Sequence, residues 1–181
     1  MADINDLTPG TWTVDVSHSR IGFIARHLMI AKTRGHFTSF TGTITVPEDR
    51  LASTVQASVD ANSITTDDAN RDGHLKSADF FDSENHPTWT LASTGIKADG
   101  DDYILLADLT IRGTTRAVEL ELEFEGVTKD PWGNTKAGFT AKTEINRKDF
   151  GLDFNVALET GGVLVGDKVK VEIEIEAARS A

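Results

Sequence analysis

Two stretches of the chain alternate apolar and charged residues with a strict period of two. Residues 118–125 interleave Val, Leu, Leu and Phe with four glutamates, and residues 168–176 interleave Val and Ile with lysines and glutamates. Because successive side chains of a strand point to opposite faces, each stretch predicts a strand with one buried and one solvated face. Such one-sided strands are typical of antiparallel sheets, since parallel strands are covered on both faces.

Seven further extended stretches complete an all-β prediction with nine strands. They are residues 12–16, 20–29, 34–46, 54–63, 88–98, 103–111 and 136–146. Asp99-Gly100 and Arg112-Gly113 predict tight turns between strands, because glycine adopts positive φ at low cost. The expected fold is an antiparallel barrel or sandwich. Residues 1–181 form one expected domain, since no linker, repeat or low-complexity tract divides them.

The alternation stops after residue 63, and residues 67–77 predict one short helical segment. Thr66 or Asp67 is the expected N-cap, because a side-chain oxygen there can accept a hydrogen bond from the free N–H groups of the first turn. Phe80-Phe81 follows directly and offers an apolar plug. We therefore expect this segment to pack across one end of a barrel.

Composition restricts the partners. The chain carries 18 Lys and Arg against 29 Asp and Glu, a formal net charge of −11. A negative charge of this size repels nucleic-acid phosphates and anionic lipid headgroups, so no nucleic-acid partner and no membrane insertion are expected. The chain has no cysteine, which excludes disulfides and thiolate chemistry. Residues 1–7 lack the basic and apolar regions of a signal peptide, which predicts a cytoplasmic location.

The residue types of a hydrolase triad occur close together in Asp15, Ser17, His18 and Ser19. Neighbours on one strand alternate in direction, and the chain has no Gly-x-Ser-x-Gly elbow, so a structural turn with Asp15 and Ser19 bonding backbone is the favoured interpretation. The five histidines form none of the close pairings of dedicated metal sites. We therefore expect no catalytic residues, no metal and no cofactor.

A series of short motifs spans most of the chain. It runs through WTVDVSHSRIGF at residues 12–23, GHFTSFTG at 35–42, RDGHLKSADFFD at 71–82, LTIRG at 109–113 and RKDFG at 147–151. In order and spacing these motifs resemble the YceI-like, polyisoprenoid-binding family. The resemblance implies an extended, lipocalin-like antiparallel β-barrel whose tunnel encloses a long isoprenoid or quinone tail. Many members of that family carry an export signal and work in the periplasm.

Within such a barrel, residues 55–61 predict a strand that turns small apolar groups inward: Val55, Ala57, Val59 and Ala61. The large candidates for a tunnel wall, each of which would equally serve as core filler, are Phe23, Phe37, Phe40, Trp89, Phe139 and Phe150. His27 shares the inward register of Phe23 and is the candidate polar contact to a ligand headgroup. Arg71 and His74 are candidates at the tunnel mouth, with an Arg71–Asp72 ion pair as the structural alternative.

The function expected is binding, transport or storage of a hydrophobic small molecule, an isoprenoid of polyprenyl or quinone type, without covalent change. A barrel that scavenges other lipophilic molecules, including antibiotics, is the first alternative. An isomerase or hydrolase using His27 or His18 as proton carrier is the second, and a fully packed structural barrel is the third. A long exposed strand edge is compatible with a homodimer.

Overall fold

The computed structural model describes residues 2–159 and 161–180. Within them lie eleven strands, one α-helix and five short 3-10 helices. The strands are β1 (Gly10–Val14), β2 (Arg20–His27), β3 (Ala31–Phe37), β4 (Phe40–Val46), β5 (Thr54–Asp60), β6 (Ile64–Thr65), β7 (Thr88–Asp99), β8 (Asp102–Ile111), β9 (Thr114–Lys129), β10 (Thr135–Asn146) and β11 (Val165–Arg179). The α-helix is α1 (Ala69–Lys76), and the 3-10 helices are Ile4–Asp6, Val16–His18, Arg50–Ala52, Ala61–Ser63 and Arg147–Phe150.

Eight of these strands close into an antiparallel barrel. The order is β1-β4-β5-β7-β8-β9-β10-β11, and β11 returns to β1 through pairs such as Trp12 with Arg179. β2, β3 and β6 prolong three of these strands toward one end. β2 follows β1 along β11, with Arg20 opposite Glu174 and His27 opposite Val165, and β3 then pairs with β2 and β6 with β3. The all-β barrel prediction is confirmed.

The break between β1 and β2 is held by side chains. Asp15 accepts a hydrogen bond from Ser17 N at the start of the 3-10 helix Val16–His18. Ser19 Oγ donates to Glu176 O and accepts from Glu176 N, at 3.3 and 3.0 Å. The predicted structural turn with Asp15 and Ser19 bonding backbone is therefore confirmed, and β11 remains the common partner on both sides of it.

Most predicted strands shift by a few residues at their ends, β6 is not among the predicted strands, and two differences change the path of the chain. The stretch 34–46 was predicted as one strand, but it contains two, β3 and β4, broken at Thr38 and Ser39, and β3 already begins at Ala31. Residues 61–63 are a 3-10 helix, because Asp60 accepts a hydrogen bond from Asn62 N and turns the chain away from β5. Both predicted turns are confirmed, with positive φ at Gly100 and Gly113.

The predicted helix is present but shorter, and its N-cap is Asp68 rather than Thr66 or Asp67. Asp68 Oδ1 accepts hydrogen bonds from the backbone N–H groups of Asn70 and Arg71. Asp67 has left-handed backbone geometry, φ 62°, which a capping residue does not adopt. No helix within the described ranges has the length and apolar composition needed to cross a membrane.

Candidate functional site

The inside of the barrel contains an elongated cavity of about 270 Å³. Its wall is almost entirely carbon, because every barrel strand turns alternate apolar side chains inward while charged residues face out. On β5 the inward side chains are Val55, Ala57 and Val59, as predicted, and the fourth predicted residue, Ala61, is fully buried beyond the cavity. Small side chains on this strand leave the volume that larger residues would fill.

The N-terminal segment covers one end of the cavity. Ile4 and Leu7 contribute to the wall, and Leu7 is 2% exposed within a core cluster that includes Trp12. Arg50 fixes this segment in place, since its Nε donates to Leu7 O at 2.9 Å and its Nη2 donates to Asn5 O at 3.2 Å. Arg50, on the β4–β5 connection, therefore fixes the N-terminal segment through hydrogen bonds to the backbone of that segment.

The other end is covered by α1 and the two phenylalanines after it, as predicted. Phe80 and Phe81 are each 7% exposed and line the cavity together with Leu75 of the helix. Phe81 also packs edge-on against Trp89, with ring centroids 4.7 Å apart. The apolar plug expected from the sequence is therefore present.

Arg71 and His74 do not reach the cavity. Arg71 Nε and Nη2 donate to Thr66 Oγ1 and Thr66 O, each at 2.8 Å, and Asp72 Oδ1 accepts from Thr66 N and Oγ1. Instead of the predicted ion pair, Arg71 and Asp72 thus hold the buried Thr66 between them. His74 bonds to Asp79 at 2.8 Å and packs edge-on against Phe80.

The predicted wall residues divide into two groups. Four line the cavity: Phe23, Phe37, Trp89 and Phe139. Phe40 and Phe150 are buried, 6% and 1% exposed, but belong to the packed core outside the wall. His27, the predicted polar contact, lies half-buried at the end of β2 between Ala31 and Val165 and does not line the cavity either. Contact of any of these residues with a ligand stays a prediction.

Sequence reasoning missed a buried cation in the wall. Arg147 is 4% exposed, and its guanidinium donates to the carbonyl oxygens of Leu152, Phe154, Val165 and Gly166. Burial lowers the pKa of this guanidinium. Its donors are occupied by backbone acceptors, so its role is to hold the segment between β10 and β11 against the barrel. In the sequence, Arg147 stands out only as the first residue of the RKDFG motif, and the motif does not indicate what the side chain does.

The fold and the sequence agree on the family. The family model for the YceI-like domain matches residues 12–177. The chain belongs to this family. A UPF0312 protein of Pectobacterium carotovorum subsp. carotovorum is 37% identical over 163 residues, which cover 90% of this chain and 82% of that protein.

Two solved structures show the same YceI-like barrel. Burkholderia cenocepacia BcnA superposes with a TM-score of 0.76 at 22% identity, covering 90% of this chain and 98% of that one. A polyisoprenoid binding domain from Saccharophagus degradans, implicated in plant cell wall breakdown, gives a TM-score of 0.71 at 16% identity, covering 93% and 98%. At these identities the likeness concerns the fold.

On the outer surface of this YceI-like barrel, a polar cluster lies at the break between β1 and β2. His18 Nδ1 lies 2.8 Å from Asp15 Oδ2 and 3.4 Å from Glu176 Oε2, and Lys136 Nζ lies 3.2 Å from Asp15. Hydrogen bonds from Ser17 and His18 hold the pKa of Asp15 well below its ordinary value, and the bond to Asp15 raises the pKa of His18.

This cluster lacks the geometry of a triad. Ser17 Oγ approaches the same His18 Nδ1 that bonds Asp15, at 3.2 Å, whereas a triad uses the two ring nitrogens for its two partners. Asp15, His18 and Glu176 could together ligate a cation by distance, but Lys136 already supplies positive charge to both carboxylates. The cluster is therefore an ion-pair network that joins β1, β10 and β11.

Proposed function

We propose that this protein binds a long-chain isoprenoid lipid without changing it covalently, and that the lipid tail occupies the barrel cavity. The observation that carries the proposal is the continuous, almost wholly carbon wall. Such a wall offers very few hydrogen bonds, so a compact polar ligand would lose most of its hydration without replacement. A hydrocarbon tail has no such loss, and it gains free energy with every carbon that leaves water.

Chain length supplies the affinity. Burial of one CH₂-sized group contributes about 0.8 kcal/mol, so a five-carbon isoprene unit contributes roughly 4 kcal/mol. Association costs on the order of 4–15 kcal/mol before any net binding is seen. One isoprene unit would therefore bind weakly, and several units are needed for a stable complex.

Binding without catalysis agrees with the titratable groups of the wall. Arg50 and Arg147 donate to backbone carbonyls, and burial raises the pKa of the Tyr103 phenol above its ordinary value. The two guanidinium groups are thus occupied in holding the backbone, and the raised pKa keeps the Tyr103 phenol protonated at neutral pH. These groups therefore support binding without covalent change, and we extend the proposal to a carrier or storage role for a polyprenyl or quinone-type lipid. It is also supported by the polyisoprenoid binding of the Saccharophagus degradans domain with the same fold.

Native mass spectrometry of the protein from its own host, followed by extraction of any bound molecule, tests the proposal first. A co-purifying prenyl chain is the expected result. The second test is titration with prenyl alcohols of two to eight isoprene units and with straight-chain alcohols of equal carbon number as the matched control. Affinity should rise with each prenyl unit until the cavity is full. Equal affinity for unrelated lipophilic compounds would favour a scavenger and overturn the proposal.

A further inference from the structure

The hairpin connecting β2 and β3 exposes large apolar side chains. Leu28, Met29 and Ile30 are 41%, 53% and 85% exposed. Leu28 and Met29 also have left-handed backbone geometry, with φ 54° and 65°. Two consecutive positive φ values favour Asn-Gly in a hairpin of this kind, and bulky residues are strained there. Neither turn geometry nor core packing accounts for these side chains.

A second loop adds to the same patch. Val156, 47% exposed, is joined to the hairpin through the backbone, because Leu164 N donates to Val156 O and Leu28 N donates to Leu164 O, each at 2.9 Å. We call Leu28, Met29, Ile30 and Val156 the apolar tip. It contains four of the seven large apolar side chains that are exposed in the described part of the chain.

Positive charge lies on the strands next to the apolar tip. The chain has 29 acidic residues, yet none occurs between Asp15 and Glu48. On β2 and β3, side chains that point toward the barrel interior alternate with side chains on the outer face. The outer side chains include Arg26, Lys32 and Arg34, and Arg26 lies directly opposite Lys32. Directly opposed like charges destabilise a sheet. A partner of negative charge would remove this repulsion.

The neighbouring strand extends this charge. Lys168 and Lys170 of β11 point to the same outer side, and Lys170 is paired in register with Ile24 of β2. We call the five exposed cations the basic face: Arg26, Lys32, Arg34, Lys168 and Lys170. Glu144 of β10 lies directly opposite Lys170, and Glu172 follows Lys170 on the same face of β11, so these two acids bound the positive charge. Within residues 2–159 and 161–180, none of the five cations lies in an ion pair.

We propose that the apolar tip and the basic face dock this protein on the surface of an anionic phospholipid bilayer. The apolar side chains enter the interfacial layer while the cations meet headgroup phosphates. The net charge of −11 does not prevent this, because charges beyond about 10 Å are screened at 0.1 M salt and the local basic face dominates at contact. Docking brings the end of the barrel where Ala25 and Val165 line the cavity next to lipid.

Flotation with vesicles tests the proposal, using equal parts phosphatidylglycerol and phosphatidylcholine against phosphatidylcholine alone. The full chain should float with the anionic vesicles and be released by salt. Leu28→Asn with Met29→Gly gives the turn its favoured residues, so this variant should fold at least as well and yet bind at least tenfold more weakly. Lys32→Gln with Arg34→Gln should weaken binding about 25-fold, at about fivefold per cation.

Two matched controls lie away from the tip and are also exposed, Trp132→Ser for apolar area and Lys129→Gln for charge. Both should float like the unchanged protein. Failure of the unchanged protein to float, or equal loss in the controls, overturns the proposal. The proposal is also overturned if the protein self-associates in lipid-free solution and the double variant Leu28→Asn with Met29→Gly abolishes this association. The apolar tip would then join two copies of this chain. Binding of a soluble prenyl probe is measured separately, so this test and that of the cavity fail independently.

Discussion

A substitution that fills part of the cavity distinguishes a barrel with room for a ligand from a barrel with a fully packed interior. Ala57→Leu is such a substitution. Ala57 lies on β5 between Gly42 of β4 and Leu91 of β7, and its methyl group faces the cavity. Leucine adds three carbons at this point. Ser58, the next residue on the strand, is exposed on the outer face and provides the control Ser58→Leu.

The expected magnitudes have opposite signs for stability and binding. Three further carbons removed from water stabilise the lipid-free protein by up to about 2.4 kcal/mol. In a fully packed interior the same change costs about 1–3 kcal/mol through overpacking. For a bound tail, displacement of one isoprene unit costs about 4 kcal/mol, which is nearly a thousandfold in affinity.

Two measurements check this prediction. Urea unfolding of lipid-free protein gives the free energy of unfolding, and titration with a fluorescent prenyl probe gives the affinity. Ala57→Leu should raise the free energy of unfolding and lower the affinity for the probe. Ser58→Leu should change the free energy of unfolding by less than about 0.5 kcal/mol and leave the affinity unchanged. A destabilised Ala57→Leu that binds the probe normally would refute the existence of usable space beside β5.

Three further outcomes follow from the site. Trp89→Ala should weaken tail binding about tenfold, because a wall contact to the tail is lost. Trp132→Ala, at an exposed position, should leave the affinity unchanged. Equal affinities of the two variants for the probe would show that Trp89 does not contact the tail. Arg147→Met leaves the carbonyls of the 152–166 segment without donors and should cost about 3 kcal/mol or more in urea unfolding, so a loss below about 1 kcal/mol would contradict its role. The raised pKa of His18 predicts that Tm falls as pH rises above 6.5, because the proton that stabilises the folded state is then lost; His18→Gln should lack this slope, and parallel curves would refute the linkage.

The strands could be predicted because their signal is local. Alternation along residues 118–125 predicts which side chains face inward, and the barrel shows the same alternation over these residues of β9. The break between β3 and β4 has no such signal. It arises because Thr38 N bonds Ser63 O and Asp60 N bonds Ser39 O, which are contacts between distant parts of the chain.

The candidate site was predictable only in part for the same reason. Periodicity shows that Phe23 and Phe40 lie on inward or buried positions, but it does not show how far each lies along the barrel axis, and only Phe23 reaches the cavity. In the polar cluster the sequence singled out Asp15 and His18 but not Lys136 and Glu176, because these partners meet them only after the barrel closes. Residue spacing along one strand could not indicate partners contributed by two others.

The position of β11 in the chain has a consequence for synthesis. This strand pairs with β10 on one side and with β1 and β2 on the other. About 150 residues separate β1 from β11, and at about 5–20 residues per second the ribosome needs roughly 8 to 30 s to make them. Without β11 the sheet cannot close, so an incomplete chain that had formed the other strands would have two unpaired edges and an exposed apolar surface, features that favour aggregation. Because β11 closes the barrel, the cavity forms and the apolar interior is covered in the same late step.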